Sequence, residues 1–229
     1  MFRLLRLSPP HGWHAVWWEL GIVTLGVLIA LAAQQMMEYS SWQAKVRDAK
    51  KDLSTELEGD LFAALERVHM KGCIDRRLDQ LSELIDHPPA KPWSLLGGKS
   101  ITSLRVWSSS AWDTAVADGT VAHMPSDERA KYANVYSYVR GLHALVLDEY
   151  AVAVEFRMLE RGGPLTDISQ DRLRADVARV RGYNQILDIG AKFVSREIKE
   201  LGVGLTPDDS KRLANEKCSL PRDGISERT

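Results

Sequence analysis

Leu20-Gly-Ile-Val-Thr-Leu-Gly-Val-Leu-Ile-Ala-Leu-Ala-Ala-Gln-Gln-Met-Met37 decides how this chain is read. The run holds no charged side chain. As a helix it spans about 27 Å at about 1.5 Å per residue. A bilayer's hydrocarbon core is about 30 Å thick, and extending the helix back to Ala15 makes up the difference. Trp13, Trp17 and Trp18 precede the run, and Tyr39 and Trp42 follow it. Amphipathic rings favour the headgroup level, so the two belts fit a transmembrane helix over 15–37. Two other readings compete. A buried core helix rarely sustains so long a charge-free run. A cleaved secretory signal has a small-x-small site at Ala30-Leu31-Ala32. Against cleavage, only Arg3 and Arg6 are basic ahead of the run, and Trp17, Trp18 and Glu19 sit where a signal's apolar core would begin.

Glu19 is the single charge in the span, about one turn inside its boundary, where a carboxylate can reach the headgroups. At about 100° per residue, Glu19, Gly26, Ala30, Ala33 and Met37 share one face. Gly26-x-x-x-Ala30 is a small-x-x-x-small pair that lets two helices approach closely. Glu19, Gly26, Ala30 and Ala33 therefore form a candidate self-association face, which predicts a homo-oligomer.

Working outward, the helix is expected to continue past the membrane. Val46, Ala49, Leu53, Leu57, Ala64 or Leu65, Val68, Leu78, Leu81 and Ile85 recur at mostly three- and four-residue spacing, with charges between. His87-Pro88-Pro89 stops the pattern, and Pro88 to Ser100 reads as a loop. A short helix is expected from Ser110 to Asp118, ended by Gly119. Pro125-Ser126-Asp127-Glu128 opens the next, with Ser or Asp as cap; it is expected to run to Gly162-Gly163-Pro164. Another begins near Ser169 and closes at Gly202. Thr206-Pro207 starts a last short one. No alternating run suggests a sheet. The expected fold is all-α: an N-terminal transmembrane helix continuing into an antiparallel helical bundle. The expected divisions are a tail (1–14), the anchor (15–37), the bundle (38–218) and a loose C-terminal tail (219–229).

The formal net charge is −1, from 30 basic and 31 acidic residues, which gives no basic excess for nucleic acid. Cys73 and Cys218 are the only cysteines; in an oxidising compartment they would form one disulfide, and otherwise two free thiols. His69 and Cys73 lie four apart on one helix face, a spacing that can hold zinc, but no further ligands come at diagnostic spacing. Gly97-Gly98-Lys99-Ser100 matches the end of a phosphate-binding loop, yet Trp93 stands where the pattern needs glycine. Arg172, Arg174, Arg179 and Arg181 read as a solvated helix face rather than an anion site. No catalytic motif is present, and no catalytic, metal or cofactor residue is assigned.

From Glu19 through the apolar run to Glu38, the chain resembles a group of uncharacterised bacterial single-pass membrane proteins. Their anchors read Glu, an apolar run, Gly-x-Leu-Ile-Ala-Leu, then Gln or Asn and an aromatic residue. This chain carries Met36 where the aromatic is common. The resemblance covers roughly residues 13–60. It implies a bacterial inner-membrane protein with its domain in the periplasm, and supplies no activity or site. The positive-inside rule, counted over Lys45, Arg47, Lys50 and Lys51, points the other way. The expected function is a membrane-anchored, non-enzymatic helical domain that binds a protein partner or small ligand. A self-associating assembly factor and a membrane-tethered enzyme are the alternatives.

Overall fold

A computed structural model describes residues 12–88, 105–161, 164–216 and 218. Over these residues the chain is helical, with no strand among them. Helix α1 covers Gly12–Asp86, α2 Ser110–Ala117, α3 Ser126–Glu155, α4 Asp167–Glu200 and α5 Pro207–Asn215. The chain divides into two compact units, Met1–Asp48 and Ala49–Thr229.

In the first unit every residue from Val16 to Ser41 is exposed, the apolar Leu20, Ile22, Val23, Leu25 and Leu28 among them. This part of α1 is long and apolar enough to cross a membrane, and no part of its most apolar stretch is buried within the chain. Beyond it, the Lys45 ammonium lies 4.2 Å from the centre of the Trp42 ring.

In the second unit the apolar stripe of α1 points inward. Leu53, Leu57, Leu61, Ala64, Ile74, Leu78, Leu81 and Ile85 are buried. One core cluster joins Ile74, Leu78 and Ile85 to Val152 of α3, to Phe156 just beyond it, and to Leu173, Val177 and Val180 of α4. Fully burying such a side chain contributes about 1.5–3 kcal/mol. Helix α1 ends at Asp86, ahead of Pro88.

Contact pairs fix the helix directions. Lys50 pairs with Glu128, the Tyr136 hydroxyl reaches the Leu53 carbonyl, and Arg67 pairs with Glu149. Both numbers rise together, so α1 and α3 run the same way. Asp86–Arg174, Asp79–Arg181 and Asp75–Asn184 run oppositely, so α4 is antiparallel to α1. The expectation of a wholly antiparallel bundle is thus corrected for α1 and α3. The long connection over 87–125 allows it, because α3 starts at the end of the bundle opposite to where α1 stops. Between α3 and α4, a Cβ on Gly190 would lie 2.6 Å from Leu142 Cδ2, so glycine permits the close approach.

Three helix ends differ from expectation. Pro125 occupies the cap position of α3, with no side-chain cap bond. Helix α3 gives way at Phe156 to a 3-10 turn through Arg161. Helix α4 starts at Asp167 because Thr166 Oγ1 accepts the Ser169 N–H at 3.2 Å. Thr206 caps α5 in the same way, as expected. Cys73 of α1 and Cys218, 145 residues apart, are joined as a disulfide with Cα atoms 5.5 Å apart.

Candidate functional site

The site is built on residues 105–110, which carry the chain into α2 along the flank of α1. Three α1 acids hold this strap. Glu66 Oε1 accepts Arg105 Nη2 at 2.8 Å. Asp60 Oδ1 accepts the Ser108 N–H at 3.0 Å. Glu56 Oε2 accepts the hydroxyls of Ser108 and Ser110, each at 2.6 Å, and the Ala111 N–H at 3.1 Å. Ser109, the cap residue of α2, makes no side-chain cap bond, so Glu56 supplies the acceptor that α2 lacks. Trp107 is buried within the strap. Trp112 of α2 stacks on Tyr136 of α3, ring centres 5.5 Å apart, and on Tyr132 at 6.3 Å.

Between strap and α3 lies a cleft of about 410 Å³. Trp107, Ser108, Ser109, Ser110 and Asp113 form one side; Val139, Arg140 and His143 form the other. The hydrogen bonds give its wall a polarity. A serine hydroxyl carries one proton. Ser108 and Ser110 give theirs to Glu56, and Ser109 gives its own to Asp113 Oδ2 at 2.8 Å. Each hydroxyl oxygen can then only accept from a further group, and Ser108 Oγ already accepts the Ser110 N–H at 3.4 Å. Opposite them, Arg140 and His143 follow each other at helical spacing on α3. Arg140 Nη2 is 3.4 Å from Asp113 Oδ1, with both side chains more than half exposed. A side with the Asp113 carboxylate and serine oxygens thus faces one with the Arg140 guanidinium and the His143 ring.

The two acids behind the wall titrate oppositely. Burial pushes the Glu56 acid upward, but hydrogen bonds from Ser108, Ser110 and Ala111 outweigh it and leave it below the usual carboxylate range. Asp60 is 2% exposed, and its Oδ2 has no hydrogen-bond partner among the described residues. Burial pushes it up to about 7; the Ser108 N–H opposes this, and the neighbouring Glu56 charge adds to it. Burial, then Glu56, also raises the Tyr136 phenol.

A second buried polar group lies further along α1. Arg67 Nη1 and Nη2 donate to Glu149 Oε2 and Oε1 at 2.7 and 2.6 Å, and Nη2 also donates to Asn184 Oδ1 at 2.9 Å. Asn184 Nδ2 in turn donates to Asp75 Oδ1 at 2.8 Å. This ties three helices together.

The residues singled out by sequence fall elsewhere. Glu19, Gly26, Ala30 and Ala33 are exposed on α1, and a Cβ on Gly26 would meet nothing within 4 Å. His69 Nε2 lies 3.1 Å from the Glu216 carbonyl oxygen and so meets the C-terminal segment. Each arginine of the basic stretch pairs with an acid: Arg172 with Glu155, Arg174 with Asp86, Arg179 with Asp176, and Arg181 with Asp79. Gly97 to Ser100 lies outside the described residues. No cluster of three or more His, Cys, Asp or Glu side chains placed to hold a metal occurs among the described residues. Sequence reasoning missed the strap, Asp60, Arg67 and Arg140. The chain matches no protein-family model, no curated protein and no solved structure.

Proposed function

We propose that this is a bacterial inner-membrane protein, anchored by residues 15–37, that displays a helical domain in the periplasm as a non-enzymatic binding module. Its ligand is a small molecule carrying both a positive and a negative charge. The observation that carries the ligand reading is the Asp113–Arg140 pair across the cleft, 3.4 Å apart and solvent-open. A ligand carboxylate fits Arg140 and His143; a ligand ammonium fits Asp113 and the Ser109 lone pairs. Small-ligand sites combine a concave wall with a few convergent polar groups, and Trp107 provides the apolar floor.

Exposure of every apolar residue described over 16–41 supports the anchor, since their burial then has to come from outside the chain. The joined Cys73 and Cys218 support the periplasmic side against the raw basic count, because disulfides persist in oxidising compartments. Isothermal titration of the full chain in detergent micelles with glycine, methylamine and acetate tests the ligand reading. Glycine is expected to bind, and Arg140→Gln and Asp113→Asn are each expected to weaken it about tenfold or more. No heat from any of the three probes sinks it.

A protein partner is the second reading. It is favoured by exposed Ile186 and Ile189 of α4, which fall at helical spacing with Phe193, whose ring centre is 4.5 Å from that of Tyr138 on α3. Self-association through Glu19, Gly26, Ala30 and Ala33 is compatible with either. It is tested by Gly26→Ile, which should shift the oligomeric state in bilayers.

A further inference from the structure

The strap has an anchor that is badly satisfied. Of the three α1 acids holding it, Glu66 has a guanidinium and Glu56 accepts two hydroxyls and an amide. Among the described residues Asp60 has the Ser108 N–H alone, on one oxygen. The other oxygen is buried without a partner. The groups facing Asp60 give no help. Glu56, one turn away on α1, is a second carboxylate. From α3 comes the Tyr136 phenol, itself pushed toward its neutral form. From the strap comes the Ser108 amide, while Arg105 is engaged by Glu66. No ion pair reaches Asp60 among the described residues.

A buried carboxylate in such a setting has two ways out: it takes a proton, or the covering segment lifts and lets water in. The strap lies against Asp60 through the Ser108 N–H, and the strap is also one wall of the cleft.

We infer that Asp60 is a proton-controlled latch for the cleft wall: protonated, it lets Trp107 to Ser110 lie closed on α1, and ionised, it drives the strap off. The functional meaning rests on the ligand reading above, since the latch would raise and lower affinity by making and unmaking half of the site. Burial sets the transition at about pH 7, where a domain outside the cytoplasm meets changing acidity. Glu56 cannot replace it, because its hydrogen bonds keep it ionised across this range.

Hydrogen–deuterium exchange of the full chain in micelles, between pH 5.5 and 8.5, reads the latch directly. After correction for the intrinsic pH dependence of exchange, peptides covering 105–111 should lose protection about tenfold or more between the two ends. Peptides from α4 near Leu187 to Val194 should not change. Asp60→Asn should keep the strap protected throughout. If it misfolds, the α4 peptides will show it, and Asp60→Leu, which also removes the charge, gives the same test. Strap protection that is flat with pH in the natural chain, or that falls equally in a folded variant, overturns the latch. No ligand is present in this measurement. Failure of the ligand reading therefore shows only in the titrations with glycine, methylamine and acetate, and failure of the latch only here.

Discussion

Arg67 and Glu149 face each other in a two-point ion pair, guanidinium to carboxylate, with side chains 4% and 1% exposed. It sits between parallel helices, where no turn fixes their register. Asn184 of α4 closes the group from the third side. An isolated charge here would be severely desolvated, so the pair exists only as a pair.

Removing one member should therefore hurt more than removing both. Glu149→Gln or Arg67→Met is expected to cost about 3–5 kcal/mol. The double variant Arg67→Met/Glu149→Leu should recover much of that loss, since apolar replacements of similar volume are often neutral. Denaturant melts followed by circular dichroism of the full chain in micelles check this. Single and double variants of equal stability would show that the charge is not buried as described.

The disulfide between Cys73 and Cys218 closes a loop of 145 residues. In the chain-entropy model such a loop stabilises by about 4–5 kcal/mol, an upper figure for many real cases. Reduction should lower the thermal midpoint and expose both thiols to a maleimide reagent. It should also free the segment that His69 meets at Glu216. Two reactive thiols in untreated protein would exclude the bond.

Asp60 gives a pH dependence of unusual sign. Its native value, about 7, lies above the ordinary carboxylate value, so between about pH 4 and 7 the folded chain holds a proton that the unfolded chain has lost. Stability from this group is present at low pH and is lost as pH rises through about 7. Glu56, held below its ordinary range, works the other way and loses its contribution in acid. Asp60→Asn should thus raise the thermal midpoint at pH 8 clearly more than at pH 5, where only the first part of this loss has accrued. An equal shift at both values would mean that Asp60 does not titrate in the neutral range.

Much of the helical layout was legible because it follows from spacing and stop signals. Leu53, Leu57, Leu78, Leu81 and Ile85 lie buried where the three- and four-residue rhythm put them, and the helix stops ahead of Pro88. The direction of α3 was not legible, since spacing along a helix says nothing of which neighbour it runs beside. The strap was equally hidden: it has no periodicity, and its partners lie 39 to 55 residues away in sequence. Two charges did carry a signal. Asp60 and Arg67 fall in phase with Leu53, Leu57 and Ala64, at inward positions of the stripe. A charge on the apolar face of an amphipathic helix demands a partner in the core, because burying it alone is too costly.

The anchor yields the last prediction. Leu28 lies near the middle of the charge-free run, exposed on α1. A lysine at the centre of a spanning helix costs about 2.5–3.5 kcal/mol on insertion scales. The natural chain should stay with membranes after alkaline carbonate extraction, and Leu28→Lys should release a large share of it. A substitution in the same helix but outside the bilayer, Lys51→Ala, should release none. Intact mass adds a second reading of the same sample. Retention of residues 1–32 keeps the span as an anchor, while a chain beginning at Ala33 would make it a signal removed on export. In that case the Gly26–Ala30 face could not hold two copies together, and the strap and cleft would belong to a protein free of the membrane.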